Sequence, residues 1–346
     1  MMYADRSERA FDIRRSIAES RRARFRVRGI FTALLALLTF APCAAAQQSD
    51  WPRQPLKLLV GFAPGGGNDL LGRLVAQRLA EKLGQPVVVE NRPGAGSMIA
   101  LEVIARAPPD GYTIGVAPYG TLVINPAVHS KVPYDPVSSF THLSIVATYP
   151  FVLTVAGDNP ARSIADLVAA AKAAPAKANY GSPAPTMQLL TEMFKAKTGA
   201  PFEHIPIKST AEAIQGLLNG QLTIAFIDPG PLMGPIRAGR VRALAVSGAK
   251  RFPELPAVPT MAEAGVPGIA FDGFMGILAP KGLPPVVAAR LEAELMAMTK
   301  TDDFREKLKL QGLEPAGTTT KAFGDVINRD LPIWKDVAKA ANIKLD

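Results

Sequence analysis

Between residues 56 and 117 the chain alternates short apolar runs with amphipathic helical stretches, and few folds accept that pattern. "LKLLVGF", beginning at Leu56, reads as a strand. From Asp69 to Leu83 the apolar residues Leu70, Leu71, Leu74, Val75 and Leu79 share one helical face. Arg73, Gln77, Arg78 and Glu81 share the other, the mark of a helix with one buried side. Gly84 supplies the stop and Pro86 follows it. "VVVE" is the next strand, "NRPGAGS" turns into a helix over Met98 to Arg106, and "YTIGVA" is a third strand. Strand–helix–strand–helix–strand predicts an α/β fold around an open parallel sheet.

A second block of the same kind begins with the strand "FVLTVA" at Phe151. Ser163 and Asp166 have the spacing of a capping box for an Ala-rich helix that ends near Pro175. A helix is expected from Met187 to Lys197, stopped by Gly199, and another after Ser209, with Glu212 at capping-box spacing. "LTIAFID" and "VRALAVS" read as strands, and the Pro-rich "RFPELPAVPT" leads to a further strand, "FMGILAP", before C-terminal helices that carry Trp334. Turn-rich stretches near residue 150 and over 260–272 are expected to be the crossings between two α/β lobes. Lobe I then comprises 47–150 plus 272–346, and lobe II comprises 151–271.

The formal charge of +9 suggests nucleic acid only until its location is considered, because residues 1–46 hold nine arginines against four acids. Beyond them the balance is 30 basic to 26 acidic residues, with no basic block and no aromatic–basic interleaving, so no nucleic-acid partner is expected. The arginines precede the apolar run "IFTALLALLTF" and the small residues "APCAAAQQ", which is the order of a signal peptide cleaved after Ala46. "SRRARF" leaves both general secretion and twin-arginine export open as routes. Cys43, the single cysteine, lies before that cleavage point, so the mature chain is expected in the periplasm without disulfides.

Three consecutive glycines, Gly65 to Gly67, fall between the first strand and first helix, at the carboxyl end of the sheet where ligands of open α/β folds bind. Two readings stand for them. The glycines present backbone N–H groups and a helix dipole to an anion, or they only make a tight turn, with Asn68 capping and Asp69 complementing the dipole. A phosphate loop would need Gly-Lys-Ser/Thr where Asn68-Asp69 stands. A dinucleotide fingerprint would need glycine at Leu70, although Glu90 is the right type for a ribose contact. No nucleophile motif or zinc motif is present, and His129, His142 and His204 are scattered and read as surface or packed residues. No enzyme activity, cofactor or metal is expected.

"PGGGND", "VENRPGAG", "DGYTIG", "INPAV", "VPYDP", "NYGS", "HIPIKS", "LLNGQ", "IRAGRVRALAVS" and "VPTMAEAGVPG" occur in one order from about Trp51 to the C-terminus. In that order they resemble the substrate-binding proteins of tripartite tricarboxylate transporters, the Bug family. The resemblance implies a type II periplasmic-binding-protein fold, with two α/β lobes closing on a small carboxylate in the cleft between them. It implies a monomeric periplasmic receptor that passes ligand to integral-membrane permease subunits. The alternative in another class is an extracytoplasmic sensor subunit that feeds a membrane signalling partner.

By the same resemblance, the ligand carboxylate meets Ala63, Pro64, Gly65, Gly66, Gly67, Asn68 and Asp69, with Gly120 and Thr121 beside them. Ser182, Thr186, Gln188 and the Lys208, Ser209, Thr210 turn would close from lobe II. Asp228, at the end of "AFID", is a further candidate, against the alternative that it starts a turn before Pro229-Gly230. The chain departs from the family at "SPAPTMQ", which is shorter, lacks glycine and puts Gln188 where histidine falls. Ile207 replaces an aromatic residue and Ser209 replaces a glycine. Pro183 and Pro185 have no amide donors, so the far end of the ligand is expected to be apolar, aromatic or amine-bearing instead of a second carboxylate.

Overall fold

The computed structural model describes residues 51–345, so the leader expected over 1–46, with Cys43, lies outside the described residues. Strand β1 (Leu56–Val60), helix α1 (Gly67–Leu83), β2 (Val87–Asn91), α2 (Met98–Ala105) and β3 (Thr113–Pro118) follow the sequence pattern closely. A π-turn over Gly120–Ile124 leads to a short helix α3 (Asn125–Val128) and then to β4 (Phe140–Pro150). β5 (Val152–Ala156), α4 (Ile164–Ala173), β6 (Asn179–Ser182), α5 (Pro185–Thr198), β7 (Glu203–Pro206) and α6 (Thr210–Leu218) come next. β8 (Ala225–Ile227), α7 (Pro229–Arg237) and β9 (Val241–Val246) complete that block. The chain returns through β10 (Asp272–Pro280), α8 (Pro285–Met298), α9 (Asp302–Leu310), β11 (Glu314–Pro315) and α10 (Thr320–Ala340).

The large sheet has the order β11-β4-β10-β3-β1-β2. It is parallel only across β2, β1 and β3, where Leu58 pairs with both Val89 and Ile114. β10 runs antiparallel to both β3 and β4, so the expected open parallel sheet is a mixed one. The reason is long-range: β10 enters from the far side after the second block, and nothing local to residues 56–117 encodes its direction. The second block holds an antiparallel sheet, β8-β5-β9, and a parallel pair, β6-β7, bridged at Tyr180 and Ile224.

Helix α1 buries Leu71, Leu74, Val75 and Leu79 in the same core as Leu58, Val60 and Val116. Each such side chain contributes about 1.5–3 kcal/mol by leaving water. Leu70, expected on that buried face, is 46% exposed. It lies in the first turn, at the mouth of the sheet, where it lines a cavity instead of the core.

The crossing expected near residue 150 as a turn is extended. β4 ends at Pro150 and β5 starts at Val152, with only Phe151 between them. β4 pairs with β10 along its whole length, from Phe140↔Pro280 to Asp272↔Pro150, so the ends of the two stretches expected as crossings lie side by side. Gly273, opposite Tyr149, is required there, because a Cβ would fall 2.5 Å from the tyrosine ring. Buried Ser247 ties these two stretches together: its Oγ accepts from Phe151 N–H at 2.8 Å and donates to Phe271 O at 2.6 Å. Ser247→Ala leaves both buried backbone groups without that partner. It should cost about 1–2 kcal/mol and lower the thermal midpoint by a few degrees, as calorimetry will show.

Candidate functional site

The glycine loop is built from below. Gly65 has φ +86°, a conformation that favours glycine, and its N–H donates to Asp69 Oδ2 at 2.9 Å. The same oxygen accepts from Arg73 Nε at 2.9 Å, one helical turn on. Asn91, the last residue of β2, donates to Asp69 Oδ1 at 2.8 Å and to Phe62 O at 3.0 Å. Asp69 is therefore buried and engaged through both oxygens, holding the loop against its neighbouring strand. Arg73 first, and then the Gly65 and Asn91 hydrogen bonds, hold its carboxyl at about 2, against the opposing effect of burial.

Above that anchor Ala63, Pro64, Gly65, Gly66 and Gly67 are exposed. Gly66 has ordinary extended angles, φ −79° and ψ 166°. A Cβ at Gly66 would meet only Ala63 O at 3.7 Å, and one at Gly67 only Met275 Cε at 3.9 Å. Both are ordinary contacts, so the folded protein itself does not require glycine at these two positions. The amides of Gly67 and Asn68 open α1 and have no carbonyl one turn back to bind, while the helix dipole places positive charge there. The arrangement offers donors and a partial positive charge to an anion that needs to come close.

Gly120 and Thr186 meet across the two blocks: a Cβ on Gly120 would stand 3.4 Å from Thr186 Oγ1. Thr121 is buried and its hydroxyl donates to Gly96 O at 2.9 Å, bracing the "NRPGAGS" turn. Pro185, expected to weaken the site by lacking an amide, is the first residue of α5, where that N–H would have no intrahelical partner. Lys208, Ser209 and Thr210 form the start of α6. Ser209 Oγ accepts from Glu212 N–H at 3.2 Å, and Lys208 N–H donates to Glu212 Oε2 at 2.8 Å.

His204, read from sequence as a surface or packed residue, is brought to the expected site. Its Nε2 lies 2.6 Å from Ser182 Oγ, and its Nδ1 lies 3.4 Å from Gln188 Nε2. Tyr180, on the same face, stacks on the imidazole with centroids 4.9 Å apart. Burial pushes the His204 pKa below its ordinary value, so the ring is neutral at pH 7. The imidazole is thus held between the Ser182 hydroxyl and the Gln188 amide, with Tyr180 over its face.

Asp228 is the cap position of α7, yet its side chain makes no capping hydrogen bond, so the turn-starting role is not what its carboxylate does. It lines a cavity of about 420 Å³ with Gly67 and Asn68 of the glycine-loop helix, Tyr149, Met275 and Gln311. Burial pushes its carboxyl up to about 6. Tyr149 and Gln311 were not legible as site residues, since each comes from a segment remote from every motif. A larger cavity, about 730 Å³, lies between α5 and α10, with a mainly apolar lining and none of the expected site residues. Among the described residues no helix is long and apolar enough to cross a membrane. No cluster of three or more His, Cys, Asp or Glu that could hold a metal ion is found among them.

The family profile described as "Tripartite tricarboxylate transporter family receptor" (TctC) matches residues 71–343. The chain is 32% identical to protein BugT of Bordetella pertussis over 320 residues, 92% of this chain and 97% of that one. Among solved structures it is similar to R. palustris Rpa4515 with adipate, with TM-score 0.73 and 35% identity over 85% of this chain and 99% of that one. The periplasmic binding protein BugD is also similar, with TM-score 0.70 and 31% identity over 85% of this chain and 99% of that one.

Proposed function

Because the chain belongs to the receptor family of tripartite tricarboxylate transporters, we propose that it is a periplasmic receptor that binds a small organic carboxylate and delivers it to a membrane permease. Its fold is the type II periplasmic-binding-protein fold of the solute-binding proteins it resembles, and its relatives are binding receptors, not enzymes. The observation that carries the ligand reading is the exposed pair Gly66 and Gly67, which no contact within the protein requires to be glycine, above an anchored Asp69. Adipate in a relative 35% identical fits the same chemistry. In this reading residues 47–150 and 272–346 form one lobe and 151–271 the other. The carboxylate sits on the glycine-loop amides, and Ser182, Thr186, Gln188 and the Lys208–Thr210 turn close over the rest of the ligand. Closure is coupled to ligand because only the closed form makes both sets of contacts.

The test is a thermal-shift panel of mono-, di- and tricarboxylates, aromatic acids and amino acids on the purified protein. A true ligand at 100 times its Kd adds about 2.7 kcal/mol, which should raise the midpoint by at least a few degrees. Binding by neutral sugars or amides with no response to any acid would overturn the reading.

A further inference from the structure

His204 differs from a packed histidine in what holds it. His142 is the packed kind: its ring lies against Phe140 and Phe323, and its Nε2 is 2.8 Å from a fixed backbone acceptor, Pro136 O. Both nitrogens of His204 instead meet side chains that can turn, the Ser182 hydroxyl and the Gln188 amide. The ring is only half-buried. Strand register fixes its place, because His204 pairs with Tyr180, and Ser182 lies two residues further along the same face of β6. The charges around it come in pairs. Glu192 and Lys195 of α5 are joined at 2.8 Å, and Glu192 also accepts from the Tyr180 hydroxyl. The turn into α6 carries one exposed charge of each sign, Lys208 and Glu212, and Glu203 alternates to the other face of β7. Burial is the largest influence and lowers the His204 pKa, while Glu192 raises it and Lys195 lowers it. A proton on this ring therefore finds no unpaired carboxylate of the protein to meet it.

We propose that His204 is a positioning residue of the binding site, and that the protein takes up a proton on this imidazole when the lobes close on an anion. The inference rests on the reading that Ser182 and Gln188 close over the ligand, and it says what makes them donors. A neutral imidazole keeps one bare nitrogen, whereas an imidazolium donates from both. Ser182 Oγ must then accept from Nε2, and its own proton is left for the guest. Gln188 must likewise turn its carbonyl oxygen to Nδ1, which leaves its NH2 for the guest. One proton thus converts two side chains to donors and adds a positive charge behind them. These donors replace the amides that Pro183 and Pro185 lack, so the far end of the ligand can be a carboxylate, against the expectation drawn from the two prolines. An anion beyond Ser182 offsets the burial that disfavours the charged ring, so ligand raises the His204 pKa and anion affinity rises as pH falls. Asp228, whose carboxyl stands at about 6 in the cavity beside the glycine loop, pulls the same way, because its neutral form does not repel an anion.

The experiment is an NMR titration of the imidazole rings of the purified protein from pH 5 to pH 9, without ligand and with saturating succinate, glutarate or adipate. Butyrate, pentanoate and hexanoate are the monoacids of matching length. The diacid that fits should raise the His204 pKa by about one pH unit, and its monoacid by less than half as much. His129 and His142, the other two histidines, should keep theirs. Calorimetry should then show that diacid binding about threefold more tightly at pH 6 than at pH 8. In His204→Gln only the part due to Asp228 should remain, and in Ser182→Ala the rise at His204 should shrink. The ring titration uses the wild type, so it decides the matter even where a variant fails to fold. A bound diacid that leaves the His204 pKa where it was, a monoacid that raises it equally, or a pH dependence that survives His204→Gln in full overturns the inference and leaves the carboxylate reading standing. If none of the six acids binds, the inference falls as well, and the wider panel decides the fate of the carboxylate reading.

Discussion

Replacing Asp69 with alanine should destabilise the protein by about 3 kcal/mol and remove ligand binding in the fraction that remains folded. The carboxylate is buried and accepts from Gly65 N–H, Arg73 and Asn91 at 2.8–2.9 Å. Alanine leaves the Gly65 amide without its partner in the loop and removes one of the two hydrogen bonds that the Asn91 amide donates. Arg73 is about half exposed and returns to water, so its share of the loss is small. Chemical denaturation measures the first part, because a fall in the midpoint at constant slope reads stability. The same network sets an acid limit. The Asp69 carboxyl titrates near 3.8 when unfolded and near 2 when folded, so the ionised form favours the native state. That stabilisation is fully present above about pH 4 and is lost as pH falls toward 2. In Asp69→Asn this acid-dependent component should be missing, and a denaturation series from pH 2 to pH 6 would show its absence as a flatter curve.

Much of this anchor was legible in the sequence, because its signals are local. A strand, three glycines and an amphipathic helix fixed the place of the loop, and the spacing of Ser163 with Asp166 gave a capping box that the structure contains. Ser209 likewise caps α6, although Glu212 reaches back to Lys208 N–H instead of completing the box on Ser209. What could not be read was made by distant pairing. Asn91 reaches Asp69 only because β2 lies beside β1, and no residue near Asn91 announces it. The strand β4 hid because both its faces are largely buried, so it lacks the alternation that marks a half-exposed strand. Its partner β10 lies more than a hundred residues further on, and their pairing is what carries Tyr149 to the cavity of Asp228. His204 joins Ser182 through the parallel pairing of β6 and β7, with Tyr180 directly opposite the imidazole. In each case the residue type was visible but its neighbour was not.

The second large effect separates binding from stability at a single position. Gly66→Val should leave the fold intact while weakening carboxylate binding by about 100-fold. Gly66 already holds extended angles that any residue adopts, and its Cβ direction meets only Ala63 O at 3.7 Å. The stability cost is then limited to the poorer capping of valine at the position before α1, about 1 kcal/mol or less. The binding cost is larger because a branched side chain stands over the amides of Gly67 and Asn68. Losing two charge-assisted hydrogen bonds to a carboxylate is worth about 2.7 kcal/mol or more, which is the 100-fold change. Gly67→Ala provides the contrast. Its Cβ lies 3.9 Å from Met275 Cε, and alanine in place of helical glycine should add a few tenths of a kcal/mol to stability. A carboxylate that approaches both amides should tolerate that one methyl better than the valine at 66, so affinities should rank wild type, then Gly67→Ala, then Gly66→Val. Equal affinity across the three proteins would mean that the glycines serve only the turn, the alternative that the exposed loop and its anchored Asp69 argue against.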